Sequence, residues 1–265
     1  RDPRDKIFNM CFVHFAMSTE KIFMTTKLEK EKTRFLPFNR DINNPIVPKE
    51  FQTSYLYRKI LIPNMLSNLI SNFIYQEKSK KGEKITIFPR FHQLECVEKL
   101  LADAELRKDY LVMHSAGSGK TLTIAWLAHG LINKNNVADE RIFDMIIVVS
   151  DRKVIDGQLQ TQIKNIEKTK GVVQRIEDSD ELAKALESGT NIVVTTMQKF
   201  PYVLKKITSI PDRNSIPDRN SIPDRNYAII IDEAHSSQSG QLSKKLVKTL
   251  NVDNLDKAEV EDDEN

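Results

Sequence analysis

Ser115-Ala116-Gly117-Ser118-Gly119-Lys120-Thr121 stands between a short apolar run, Tyr110–Met113, and a largely apolar stretch, Thr121–Ile132. Two of the eight glycines of the chain fall in it. A residue without Cβ lets successive backbone N–H groups close around a phosphate, and a helix beginning at Thr121 points its positive end at the same anion. The spacing therefore predicts strand, phosphate-binding loop (P-loop) and helix in that order. In such a loop Ser115, Ala116, Gly117, Ser118 and Gly119 form the cradle, Lys120 reaches the β- and γ-phosphates, and the Thr121 hydroxyl ligates Mg2+. The first position of the general pattern G-x-x-x-x-G-K-[S/T] is occupied by His114. Gly117 and Gly119 still supply the tight turns.

Outward from this loop, from Glu83 onward, helical stretches alternate with short β-branched runs, which predicts parallel βαβ units. His92–Leu106 is an amphipathic helix with Leu94, Val97, Leu101 and Ala104 on one face, and Tyr110–Met113 is the strand that enters the loop. Ile142–Val149 is a near-continuous apolar run of the kind buried on both faces of a sheet. Helical stretches at Gln158–Lys168 and Glu181–Glu187 bracket a short strand at Val172–Ile176, and Ile192–Thr196 and Tyr227–Ile231 are two further strands. Between the last two, Ser-Ile-Pro-Asp-Arg-Asn occurs three times in tandem, at 209–214, 215–220 and 221–226. A Pro and an Asn in each copy read as successive turns of an exposed loop, although six residues is also a β-solenoid period.

Asp232-Glu233-Ala234-His235 follows directly on the strand Tyr227–Ile231. A carboxylate at the carboxyl end of a buried strand is placed to hold Mg2+, and its neighbour can activate the attacking water. Asp232 is then the metal-side group and Glu233 the base.

Before Glu83 the pattern differs. Cys11–Ala16 and Lys21–Lys27 alternate as two strands joined by the polar turn Ser18-Thr19-Glu20, and a loop rich in Pro and Asn runs from Pro37 to Pro48. Within residues 51–76, Leu61, Met65, Leu66, Leu69, Ile70 and Phe73 form a helical stripe after Pro63, and Lys78–Gly82 reads as a flexible boundary. Cys11 and Cys96 lie 85 positions apart in no metal or redox spacing and are expected to be buried free thiols.

The 265 residues, 40% hydrophobic and 29% charged, correspond to one large or two ordinary globular domains and exclude collagen, coiled coil and full disorder. No apolar run approaches the roughly 18 residues of a membrane span, and no signal peptide is evident, so a cytoplasmic location without a membrane partner is expected. The net charge of +3 conceals a pattern. Residues 1–82 hold 15 Lys+Arg against 8 Asp+Glu, residues 83–252 hold 24 against 22, and residues 253–265 hold 1 against 7. A basic leading part suits a polyanionic partner.

The P-loop and the Asp-Glu-Ala-His segment together resemble the first RecA-like motor lobe of superfamily-two helicases and translocases. Further strings resemble one branch of it, the R (restriction and motor) subunit of type I restriction-modification enzymes: Val13–Ala16, Met24–Leu28 and Phe35–Asn39; Pro89–Gln93; His114–Thr121; Val149–Lys153; Thr195–Phe200; and Asp232–His235 with Ser237-Gln238. The resemblance extends over nearly the whole chain, and His114 is what that branch typically shows. It implies an α/β fold, an incomplete RecA-like parallel-sheet lobe over 83–265 that ends in an acidic insertion. Ahead of the lobe it implies a helical linker over 46–82 and the C-terminal edge of a nuclease-like α/β domain over 1–45.

The resemblance also implies roles. Gln93 matches the glutamine that reads the adenine edge with its donor and acceptor, though a surface Gln at a helix start has the same spacing. Arg152 and Lys153, and then Thr195, Thr196 and Lys199, match segments that track DNA phosphates without reading bases; solvated loop tips share that composition. His235 matches a residue coupling ATP state to DNA contact or is simply a packed histidine, and Ser236 stands where the family usually has Arg. ATP and Mg2+ are the implied cofactors. Double-stranded DNA and the modification (methyltransferase) and specificity subunits are the implied partners. The Glu-x-Lys of the family's nuclease site occurs nowhere in the chain, and Arg1 stands where a Met would begin a gene. The expectation is a fragment of an ATP-dependent restriction endonuclease that by itself binds ATP–Mg2+ and, weakly, DNA. Another superfamily-two helicase, or a non-catalytic binding fragment, remain the alternatives.

Overall fold

In a computed structural model of the chain, residues 8, 10–79, 82–150, 153–166, 172–176, 181, 184, 185, 188–196 and 226–233 are described, with side chains of 153–158 and of Arg175 left aside. The chain divides into two compact units, one comprising residues 1–103 and 108–126, the other 104–107 and 127–265.

The first unit opens with a three-stranded antiparallel sheet of β1 (His14–Met17), β2 (Ile22–Thr25) and β3 (Leu36–Pro37). Ser18 closes the β1–β2 turn: its Oγ accepts from Glu20 N at 3.2 Å and from Lys21 N at 3.0 Å. The loop after β3 is tied down by amides rather than left loose. Asn39 Oδ1 accepts from Ile22 N at 3.0 Å, and the buried Asn44 donates to Glu20 O at 2.9 Å and to Asn39 Oδ1 at 3.1 Å. Phe38, fully buried, packs edge-on against Phe15 and Phe91 with ring centroids 5.2 and 5.4 Å apart, and the Tyr55 hydroxyl donates to its carbonyl. Such edge-to-face pairs contribute about 0.5–1.5 kcal/mol each beyond the area they bury.

The helical stripe expected within 51–76 is present but interrupted. A π-helical turn at Leu56–Ile60, α1 (Pro63–Asn68) and a second π-helical turn at Leu69–Phe73 succeed one another. Met65, Leu69 and Phe73, at i, i+4 and i+8, are buried, while Leu61, Leu66 and Ile70 face solvent. The helix stops at Phe73, because from Tyr75 the burial alternates with period two: β4 (Tyr75–Lys78) pairs antiparallel with β5 (Lys84–Ile87). The expected boundary at Lys78–Gly82 is the connection of this hairpin, with Ser79 N donating to Glu83 O at 2.8 Å and Gly82 N to Ser79 O at 2.9 Å. Helix α2 (Phe91–Ala102) follows, then the phosphate-binding loop and α3 (Lys120–Ile132). The single tryptophan, Trp126, fixes the first half of α3: its Nε1 donates to Phe73 O at 3.0 Å from a buried position.

Two expectations for this unit need correction. Tyr110–Met113 is not a strand; no described strand pairs with it, and Leu111 and Met113 are 78% and 85% exposed. A β-run becomes a strand only where an edge satisfies its backbone. The two cysteines are not both buried either. Cys96 is half-buried, its thiol pushed up by burial, whereas Cys11 is exposed in the irregular segment before β1, beside the exposed Met10 and Phe12.

The second unit is the parallel α/β part. Its sheet has the order β7-β8-β6-β9, with β6 (Met145–Ser150), β7 (Val173–Arg175), β8 (Ile192–Thr196) and β9 (Tyr227–Ile231), and all pairings are parallel. Every residue of β6 and β8 is buried, as unbroken apolar runs in a doubly covered sheet require. Helix α4 (Lys153–Ile166) supplies the cover through Leu159, Ile163 and Ile166, and His129, in the later half of α3, meets it with Nε2 2.7 Å from Ile163 O.

Candidate nucleotide site

Gly117 and Gly119 of the loop have φ of +74° and +88°, the left-handed region expected of them. Ser118 N donates to Ser115 O at 3.2 Å, closing a turn, and Gly119 O accepts from Leu122 N and Thr123 N at 3.1 and 3.3 Å, starting α3. Glycine at 119 answers a second demand: a Cβ there would lie 2.5 Å from Gln93 Nε2. Ser115, Ala116 and Gly117 are exposed, Gly119, Lys120 and Thr121 half-buried, and Ser118 is buried with no hydrogen-bond partner for its Oγ. A buried hydroxyl without a partner beside left-handed glycines suits a loop built for an anion, since an acceptor oxygen would satisfy it.

The loop is gripped from behind by the first turn of α2. Arg90 Nη1 donates to Gly117 O at 3.4 Å, and Gln93 Nε2 donates to Gly119 O at 3.0 Å. His92 Nε2 lies 3.1 Å from Ser118 O. Gln93 is buried, and its Oε1 accepts from Arg90 N at 2.9 Å to cap α2. Both ends of its carboxamide are thus engaged within the protein, each keeping one further donor or acceptor site. The His114 ring meets the His92 ring edge-on at 5.2 Å, and burial, with the nearby His92 and Lys120, holds its imidazole below the ordinary 6.5.

In the second unit, parallel register brings the carboxyl ends of β6, β8 and β9 to one edge of the sheet. Asp232 continues β9, its N–H donating to Val149 O at 2.9 Å, and its Oδ1 accepts from Glu233 N at 3.0 Å. Asp232 is buried, Glu233 half-buried with a left-handed φ of +56°. A non-glycine residue held there carries of order 1–3 kcal/mol of backbone strain, which is found most often at functional sites. A carboxylate at such an edge is a ligand of the kind Mg2+ takes alongside water and phosphate oxygens. No group of three or more metal-ligating side chains occurs among the described residues.

Thr195 and Thr196, expected as phosphate contacts, are the buried last residues of β8, paired with Val149 and Ser150, and their hydroxyls have no hydrogen-bond partner. As placed they offer no surface to DNA; that end of β8 would have to open. Arg152, Lys199, His235 and the triple hexapeptide, except for its last residue Asn226, lie outside the described residues, and for Lys153 only the backbone is described, at the start of α4. Arg90 and His92 stood within the string Pro89–Gln93 that carries the resemblance, but nothing in the sequence gave them contact with the loop.

Residues 92–255 match the family model described as SWI2/SNF2 ATPase. The chain is also 28% identical, over 92% of its length, to a protein of Methanocaldococcus jannaschii assigned as a type I restriction enzyme endonuclease subunit, and spans 24% of that protein. The UvsW helicase of bacteriophage T4 superposes on 72% of the chain and 57% of its own, with a TM-score of 0.45 and 15% identity. No helix among the described residues is long and apolar enough to cross a membrane.

Proposed function

The chain belongs to the SWI2/SNF2 ATPase family, and from that premise we propose that it is the ATP-binding motor portion of a type I restriction endonuclease R subunit. The observation that carries this reading is the glycine-turned loop 115–121, with its buried, unpartnered Ser118 hydroxyl, at the start of α3. Lys120 balances the β- and γ-phosphate charge, and Gln93 takes the adenine edge. Thr121 and Asp232 are the residues proposed to hold Mg2+, which when bound would supply charge neutralisation on the phosphoryl group. Glu233 accepts the proton of a water as its oxygen bonds to the γ-phosphorus and the bond to the ADP oxygen breaks. The Glu233 N–H bond to Asp232 Oδ1 orients the Asp232 carboxylate, and the left-handed φ of Glu233 sets the backbone from which its own carboxylate extends.

Likeness to the restriction subunit supports duplex DNA as the track, with translocation leading to cleavage in an enzyme that includes modification and specificity subunits. Arg152, Lys153 and Lys199 are the proposed phosphate contacts, and Thr195 and Thr196 belong to the same segments. Such contacts release counterions, so affinity must fall steeply with salt. Anisotropy of a labelled duplex titrated with the chain tests this. Salt-sensitive duplex binding, stronger than for RNA of the same length, is expected; equal binding of RNA favours a different superfamily-two motor, and no binding of either contradicts the reading.

A further inference from the structure

Gly117, Ser118 and Gly119 present three consecutive carbonyls to three side chains of one helical turn, Arg90, His92 and Gln93, at 3.4, 3.1 and 3.0 Å. A carbonyl only accepts, so His92 Nε2 carries the proton in its contact with Ser118 O. All peptides are trans, and in a trans peptide the C=O and the next N–H point in opposite directions. Pulling the Ser118 and Gly119 carbonyls toward α2 therefore turns the N–H groups of Gly119 and Lys120 toward the other side of the loop. These are the groups a phosphate oxygen would accept from. The Gly119 carbonyl is held as well by Leu122 N and Thr123 N at the start of α3, so the latch matters most at the Ser118 carbonyl: a glycine-rich segment samples both signs of φ, and a flip of the Ser118–Gly119 peptide would take the Gly119 N–H away.

We infer that Arg90, His92 and Gln93 form a latch that holds the P-loop peptides in the phosphate-binding orientation, with His92 as its central positioning residue. His114 belongs to the same device. It fills the position where the general pattern has glycine, and its ring stands edge-on to His92 at 5.2 Å and 89°, which restricts the His92 ring to the rotamer that reaches Ser118 O. The unusual residue of the loop is thereby accounted for. The inference rests on the nucleotide-binding reading above and adds a part that faces the phosphates, independent of the base.

Titration calorimetry of the 265-residue chain with two probes, ATP and inorganic tripolyphosphate, tests it, using His92→Gln, which keeps a donor, and His92→Met, which does not. Loss of one hydrogen bond predicts about five- to tenfold weaker binding of both probes by His92→Met, with His92→Gln recovering most of it. Equal affinities of the two variants, or a loss confined to ATP, would overturn the latch. If wild-type chain binds neither probe, the nucleotide reading fails and the latch with it. Should His92→Met not fold, Gln93→Ala decides: weakened tripolyphosphate binding supports the latch, and weakened ATP binding alone refutes it.

Discussion

His114 places a titratable ring between the phosphate loop and the helix that grips it. Because burial, His92 and Lys120 lower its pKa in the folded chain, the neutral ring is the form the fold favours, and a proton taken up there sits beside the Lys120 ammonium. Its contribution is therefore whole above the ordinary value of 6.5 and is lost as pH falls through the lowered folded value. Thermal unfolding of wild type and His114→Asn, followed from about pH 7 to about pH 5, should show the wild-type midpoint falling more steeply than the variant's. Parallel curves would remove His114 from the account. The glycine turns at 117 and 119 were legible in the sequence because local spacing carries them, whereas Gln93 was singled out only by the resemblance. The grip of His92 on Ser118 was not legible, since it joins residues 26 positions apart and needs a particular rotamer. Thr195 and Thr196 misled for the opposite reason: threonines at the end of a strand have the composition of a loop, and only pairing with β6 reveals their burial.

Strands β6 and β8 show how far apolar runs go in specifying an element. Ile146, Ile147 and Val148 are all fully buried, each beside a partner in β8 and another in β9. Ile147→Ala should cost roughly 2–5 kcal/mol in chemical denaturation. Ile70→Ala, at a helical residue 53% exposed, should stay within about 0.5 kcal/mol. A cost for Ile147→Ala no larger than for Ile70→Ala would contradict the placement of β6 at the centre of its sheet. Tyr110–Met113 has nearly the same composition as these strands, yet no described strand offers it an edge. Apolar character sets the propensity, and pairing decides the outcome. The stripe of residues 61–73 is narrower than its apolar residues suggest: Met65, Leu69 and Phe73 are buried, whereas Leu66 and Ile70, about 100° round an ideal helix from Met65 and Leu69, are exposed.

Across the whole chain, the basic excess of residues 1–82, 15 Lys+Arg against 8 Asp+Glu, lies ahead of the family match at 92–255. A positive leading part suits a polyanionic partner, and the proposed handling of ATP phosphates by the loop draws on the same physical resource, cationic and N–H groups held against anions. The phosphate loop is the element on which both the family membership and the proposed motor role depend. The most direct test is calorimetric titration of the chain with a slowly hydrolysed ATP analogue in the presence of Mg2+. With Glu233 acting on water as proposed, wild type and Glu233→Gln should bind alike, while Lys120→Ala, without the charge proposed to face the phosphates, should bind at least about tenfold more weakly. Binding by Lys120→Ala as tight as by wild type would contradict the account.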